Sequence, residues 1–138
     1  MRIIAPMMIL IMMTSTLAGC TGDDTKVSET IFVAEDDWRA WSVECNSNCN
    51  LELSVELNSG PNVDVYVMTE SNYDSYKNCD SFYYLEEFSM TDTNGFTASG
   101  TIEKGDYMVV FDNTDCGVAS PPSNGENSDA GITFTLEI

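Results

Sequence analysis

The feature that most limits the fold of this chain is an alternation of apolar and polar side chains with a period of two. In residues 51–57 every odd position is leucine or valine, and every even position is glutamate or serine. The same period places apolar side chains at alternate positions in 41–45, 63–68, 107–111 and 132–138. Successive side chains of a strand point to opposite faces, so each run predicts a strand with at least one buried face.

Residues that favour turns separate these runs, at 58–62, 92–95 and 104–106. Shorter candidate strands lie at 30–34, 81–88 and 96–103, only 70–78 could hold a helical turn, and 117–129 is the longest candidate loop. About eight short strands at this spacing predict an all-β fold. We therefore expect a single antiparallel β-sandwich of jelly-roll type over residues 30–138.

The N-terminal residues have the features of an export signal. Arg2 is followed by an apolar, uncharged run to Met13 and then by small residues, which is the composition of a secretory signal. The run is shorter than the ~20 residues that a bilayer span requires. Leu17-Ala18-Gly19-Cys20 resembles the lipobox of prokaryotic lipoproteins.

That resemblance implies cleavage after residue 19 and a diacylglycerol-type lipid on Cys20, which would hold the protein on the outward face of a cell membrane. Two acyl chains make such an anchor stable. The chain is then divided into a signal peptide (1–19), a polar anchored linker (20–29) and the β-sandwich (30–138). The alternative is ordinary secretion, with Cys20 unmodified.

The negative net charge limits the classes of partner that the protein can bind. Removing residues 1–19 from the 138 leaves 119, and because Arg2 is the only charged residue removed, the formal net charge goes from −18 to −19. Nucleic acids are bound chiefly through lysine and arginine, so this balance argues against a nucleic-acid partner. The negative charge also argues against direct contact between the domain and anionic lipid headgroups, unless the lipid on Cys20 holds the domain at the membrane. The partners that we expect are the membrane, through Cys20, and a protein or glycan at the cell surface.

The remaining cysteines indicate an oxidising compartment. Cys45, Cys49, Cys79 and Cys116 form an even set, which predicts two disulfides with three possible connectivities. We favour Cys45–Cys49, which closes a turn, and Cys79–Cys116, which joins a loop to a distant segment. A Cys₄ zinc site is the alternative, but only the first two cysteines have the spacing of metal ligands.

Three segments resemble a known group of modules. Residues 58–67 combine a polar turn with the strand Val-Asp-Val-Tyr-Val, Tyr73-Asp74-Ser75-Tyr76 follows, and residues 102–114 contain Gly105-Asp106-Tyr107 followed by Val109 and Asp112-Asn113. Together with the last strand, these are similar to GOLD-like and pre-peptidase C-terminal-like β-sandwiches of exported prokaryotic proteins. The resemblance covers most of residues 30–138. It implies a jelly-roll-like sandwich with a binding or accessory role and no catalysis.

Catalytic chemistry is poorly provided for. The chain has no histidine, which excludes Ser-His and Cys-His nucleophile pairs and histidine-ligated metals. A carboxylate pair is the remaining route to hydrolysis, but no pair stands in a distinctive setting. We expect no cofactor. Calcium is the weaker alternative, with Asp92, Asp112 and Asp115 as candidate ligands in loops, but Asx turns that join strands are the favoured explanation of these residues.

The aromatic residues offer one further candidate site. Aromatics around 82–85 and at Tyr73 and Tyr76 suit a strand buried on both faces, which is the simpler interpretation. If some face outward, Tyr66 and Tyr83 are the candidates for contact with a sugar or peptide. The sequence thus favours a membrane-anchored binding or accessory module. A structural envelope protein is the alternative, and a carboxylate-based hydrolase is less favoured.

Overall fold

The computed structural model describes residues 17–18, 26–116 and 128–138. Within these ranges the elements are β1 (Leu17–Ala18), β2 (Lys26–Val33), β3 (Trp38–Cys45), β4 (Cys49–Ser59), β5 (Val63–Thr69), α1 (Glu70–Lys77), a 3₁₀ turn (Glu86–Phe88), β6 (Met90–Thr93), β7 (Gly95–Ile102), β8 (Gly105–Asp112) and β9 (Ala130–Glu137). The protein is an all-β sandwich, as the alternating pattern predicts.

Two sheets form the sandwich. Sheet A has the strand order β1-β3-β8-β5-β6, and sheet B has the order β2-β9-β4-β7. Apart from the two-residue strand β1, which pairs in parallel with β3, every pairing is antiparallel. Neighbouring strands in each sheet include pairs far apart in sequence, such as β2 with β9, so the chain crosses repeatedly between the sheets.

The core lies between the sheets and consists of the inward residues of the alternating runs. Its largest members pack ring against ring: the centroid of Trp41 lies 4.7 Å from that of Phe134 and 5.6 Å from that of Phe111. On β4, Leu51, Leu53 and Val55 are buried while the residues between them are exposed. Burying a side chain of this size contributes roughly 1.5–3 kcal/mol, so this layer is the main source of stability.

The expected helical turn at 70–78 is the helix α1. Thr69 caps its N-terminus, with its hydroxyl oxygen accepting from the backbone N–H of Asn72 at 3.4 Å. Tyr76 is the buried residue of this helix. The helix follows β5 directly and therefore lies beside the outer face of sheet A.

The expected strand at 81–88 is wrong. This segment is irregular and ends in the 3₁₀ turn. Phe82 and Tyr84 alternate as strand residues do, but they lie against the outer face of sheet A instead of extending the sheet. The backbone N–H of Leu85 donates to the carbonyl oxygen of Val67 at 2.8 Å, and that of Tyr83 donates to the side-chain oxygen of Asn72 at 2.9 Å.

Strand β2 begins earlier than the sequence suggested. Lys26 pairs with Glu137 and the register then runs without a break to Val33 opposite Ala130. Residues 26–29, which the sequence analysis placed in the linker, are therefore paired strand residues.

Candidate binding surface

The two sheets differ in what covers their outer faces. On sheet A, Tyr66, Met68 and Val110 point away from the sandwich core and are nevertheless fully buried. The outer-face aromatic cluster that covers them also contains Trp38, Tyr73, Tyr76, Phe82 and Tyr84. The outer face of sheet A is thus a second small core and offers little surface to a ligand.

Both candidate tyrosines can now be placed. Tyr66 is 0% exposed, and its ring centroid lies 5.1 Å from that of Phe82 and 5.0 Å from that of Tyr84. Tyr66 is therefore a packing residue, and the suggestion that it contacts a ligand is wrong. Tyr83, which lies between Phe82 and Tyr84, points the other way and is 84% exposed.

Two buried carboxyl groups lie at one end of this face. Asp64 on β5 and Asp112 on β8 are paired directly across the sheet and are 3% and 2% exposed. Asp64 accepts from the hydroxyl of Tyr66 at 2.9 Å. One oxygen of Asp112 accepts from the Tyr76 hydroxyl at 2.7 Å and from both the backbone N–H and the hydroxyl of Thr114, at 2.9 and 2.7 Å.

The second oxygen of Asp112, Oδ2, is buried without a hydrogen-bond partner. Burial raises the pKa of Asp112, and the donors from Thr114 and Tyr76 only partly offset that effect, while the nearby charge of Asp64 adds to it. Burial also raises the pKa of the Tyr76 hydroxyl, which keeps it a hydrogen-bond donor. Asp64 and Asp112 are therefore interior groups that a large ligand cannot reach.

The candidate calcium ligands are not gathered into one site. Asp112 forms an Asx turn with the N–H of Thr114, and Asp115 next to it is exposed. Asp92 lies on β6, where its backbone N–H donates to Asp64 at 2.7 Å. In the part of the chain that the structure describes, no three cysteine, histidine or acidic side chains converge in a way that could hold a metal ion.

The outer face of sheet B is uncovered and mostly polar, with Phe32 of β2 63% exposed at one end, and the register arranges its side chains in rows across the four strands. One row is Lys26, Glu137, Glu52 and Ser99, and the next is Ser28, Thr135, Ser54 and Thr97. The second row consists entirely of hydroxyl side chains. These small residues cannot rise far from the sheet, so the face stays low in its middle.

A shallow depression of about 440 Å³ lies over these two rows. It is lined by Lys26, Glu52, Leu53, Ser54, Thr97, Ala98, Ser99, Thr135 and Glu137. Hydroxyls and carboxylates dominate the lining, and they can accept and donate hydrogen bonds over an extended area.

The charges in the depression are unbalanced. Lys26 lies 3.6 Å from a carboxylate oxygen of Glu137. Glu52 is directly opposite Glu137 on the next strand, and like charges in this arrangement repel. A ligand that brings hydrogen-bond donors or positive charge would relieve this repulsion.

The residues of the depression are not among the predicted site residues. The alternation in 51–57 and 132–138 identifies the core through the inward positions, whereas the depression is lined chiefly by the outward ones. A signal was present, since the outward positions of both runs are serine, threonine or glutamate with no large side chain. Single-strand patterns do not show which strands lie side by side, so the rows could not be assembled without the register.

The cysteine predictions fare differently. The structure joins Cys45 to Cys49 and Cys79 to Cys116, the connectivity that we favoured, with Cα–Cα distances of 5.8 and 5.3 Å in the usual range. Cys20, the predicted lipid acceptor, lies outside the described residues. Among the residues that are described, no helix is long and apolar enough to cross a membrane.

No family model and no curated protein matches the chain. Among solved structures, the chain is similar to the pre-peptidase C-terminal domain of a collagenase from Bacillus anthracis, at 17% identity and a TM-score of 0.48, covering 82% of this chain and 86% of that one. It is also similar to a protein of Bacillus endospore appendages, described as disulfide-linked pili, at 13% identity and a TM-score of 0.35, covering 89% and 96%. At such low identity and TM-score these similarities give no information on a binding surface, which is inferred from the geometry described above.

Proposed function

We propose that the protein is a membrane-anchored lipoprotein that acts as a binding or accessory module on the outward side of a cell membrane. The observation that carries the binding role is the difference between the two sheets: helix α1 and the 79–85 segment bury the outer face of sheet A, whereas that of sheet B is open. The partner is a protein or glycan of the cell surface that contacts the depression on sheet B.

The composition of that face supports a polar partner. Hydroxyl side chains on neighbouring strands already bond one another, as Thr30 and Thr133 do at 2.9 Å and Ser28 and Thr135 do at 3.3 Å. A partner therefore meets a pre-ordered lattice of donors and acceptors. Such surfaces lose little side-chain freedom on binding, which favours affinity.

The proposed anchor would set the orientation of the domain. Six residue steps separate Cys20 from Lys26, and an extended chain spans at most ~3.6 Å per residue, so the first residue of β2 lies within about 20 Å of the lipid. The ends of sheet B near Lys26 and Glu137 would then face the membrane. The open face would stand to one side, where a neighbour in the envelope can reach it.

The anchor is tested by mass spectrometry of the protein recovered from native membranes. We expect a mature chain that begins at Cys20 and carries the mass of a diacylglycerol-type lipid. A chain that retains residues 1–19, or that begins at an unmodified cysteine, refutes the anchor.

The binding role is tested by cross-linking on intact cells. Ser54 and Thr135 are directly opposite each other in the depression, so the double variant Ser54→Arg with Thr135→Arg fills it with long side chains. We expect wild type to give a discrete cross-linked complex that this variant loses. Ser81→Arg, at an exposed position on the other side of the sandwich, is the matched control and retains it. Equal cross-linking by all three proteins argues against the open face.

A further inference from the structure

The edge strands of the sandwich are not equally protected. Long, straight, uncharged edge strands invite pairing with another chain, and proteins usually guard them with charges, bulges, proline or short length. Strand β6 has four residues and an irregular register with β5. In sheet B the edge strand β2 carries Lys26 and Glu29. In sheet A, β3 is covered by β1 only at Val43 and Glu44, and it carries Arg39 and Glu44.

Strand β7 has none of these guards. Its eight residues, Gly-Phe-Thr-Ala-Ser-Gly-Thr-Ile, include no charge and no proline. It pairs with β4 through eight consecutive residues without a bulge, and no described strand pairs with its other side. Thr97, Ser99, Gly100 and Thr101 are exposed. In a chain with 23 acidic residues, an uncharged edge of this length stands out.

Acidic side chains surround this edge. The 3₁₀ turn packs against the core-facing side of β7, where the ring of Phe88 lies against Gly100, and Glu86 and Glu87 of the same turn are exposed. Glu103 follows the strand directly, and Glu52 on β4 is opposite Ser99. The nearest basic residue in sequence is Lys104. A strand added beside β7 would therefore have a neutral backbone ladder with carboxylates around it.

We propose that β7 is a docking edge that accepts an extended, basic segment of a partner protein as a fifth strand of sheet B. This inference rests on the proposed binding role of sheet B and names the class of its partner. Main-chain hydrogen bonds to β7 would supply the affinity. Lysine and arginine side chains of the segment would supply selectivity through the surrounding carboxylates.

Charge also selects between occupants. Pairing of β7 with β7 of a second copy would bring two chains of net charge −18 or −19 together, with their acidic flanks adjacent. Like charges opposed across an interface are unfavourable. A basic segment removes that repulsion, so the occupant is a different protein.

The test uses the isotope-labelled mature protein and three eight-residue peptides, with binding followed by amide NMR shifts. The first peptide alternates lysine and threonine, the second alternates glutamate and threonine, and the third is the lysine peptide with alternate backbone nitrogens methylated. We expect the lysine peptide to shift the amides of 95–102. Both other peptides should bind at least about tenfold more weakly. The glutamate peptide carries negative instead of positive charge, and the methylated peptide lacks the backbone N–H donors of the ladder.

A charge-reversed variant provides the second readout. Glu86→Lys with Glu87→Lys should weaken the lysine peptide about tenfold, whereas Glu29→Lys on the far edge of the same sheet leaves it unchanged. Equal binding of the methylated peptide overturns strand addition, and so does the absence of shifts in 95–102. Shifts confined to Ser54 and Thr135 refute the edge while supporting the open face. Protection of 95–102 by self-association without peptide would make a second copy the occupant.

Discussion

The buried carboxyl of Asp112 allows a prediction whose sign is not obvious. Replacing it with asparagine keeps one oxygen in place to accept from Tyr76 and Thr114, and puts an amide nitrogen where Oδ2 now has no partner. The change weakens three hydrogen bonds, since bonds to a charged acceptor are stronger than bonds to a neutral one. It also removes a buried charge that faces Asp64 across the sheet.

The pKa of Asp112 decides between these effects. It is raised above its usual value, so, relative to water, burial in the folded protein penalises the ionised form by more than the donors from Thr114 and Tyr76 stabilise it. An asparagine amide at this position is as buried as Oδ2, so the cost of a buried polar atom without a partner is common to both proteins, and the gain comes from removing the buried charge opposite Asp64. We therefore expect Asp112→Asn to increase the free energy of unfolding at neutral pH by on the order of 1 kcal/mol.

The gain should depend on pH. Because the folded-state pKa of Asp112 lies above the unfolded one, its contribution to stability is fully present below the unfolded pKa and is lost as pH rises through the folded pKa. Asparagine has no such loss. The difference between variant and wild type should therefore be smallest in acid and reach a plateau above the raised pKa.

Urea unfolding of the oxidised protein, followed by circular dichroism at a series of pH values, measures this difference. Asp106→Asn is the matched control, because it makes the same substitution at an exposed position of the same strand and should change stability little at any pH. The reasoning is refuted if Asp112→Asn is destabilising throughout, or if its effect is the same at every pH.

Three further predictions concern stability. Gly60→Ala should lower the free energy of unfolding by at least about 1–2 kcal/mol, because φ is +86° there and the new Cβ would overlap the carbonyl oxygen of Asp129; urea unfolding measures it. Replacing Cys79 and Cys116 together by alanine should cost about 4 kcal/mol, against about 2 kcal/mol for the shorter disulfide, so a calorimetric comparison of the two double variants should rank them in that order. Trp38→Phe removes an indole N–H donor to a tyrosine hydroxyl and should cost about 0.5–1.5 kcal/mol in urea unfolding, and a neutral result would mean that the bond adds nothing.

The sandwich itself could be predicted because its signal is local. Alternation in 51–57 and 132–138 indicates which side chains face the core, and the structure buries those residues fully except for Leu57 and Ile138, which are partly buried. Helix α1 was indicated by the short-range composition of 70–78. The even number of cysteines left three connectivities open, and the one that we favoured is the one observed.

The second core on sheet A could not be predicted in the same way. Residues 63–68 alternate valine with aspartate, tyrosine and methionine, which suggested a strand with one wet face, yet all six are buried. The residues that cover their outer face belong to α1 and the 79–85 segment. The sequence of 63–68 does not indicate that another element packs on this face. The alternation of Phe82 and Tyr84 was mistaken for a strand for the same reason: it matches a sheet face whether it belongs to the sheet or packs on it.

The sizes of the outward side chains explain why only one sheet is left open. On β5 and β8 the outward positions carry Tyr66, Met68 and Val110, whose apolar area must be buried. Helix α1 and the 79–85 segment cover these side chains. On sheet B the corresponding positions carry mainly serine, threonine and glutamate, for which exposure to water has no such cost, although Phe32 on β2 is 63% exposed. Sheet B therefore remains stable without a cover, and this is the condition for a surface that can accept a partner and release it without disturbing the fold.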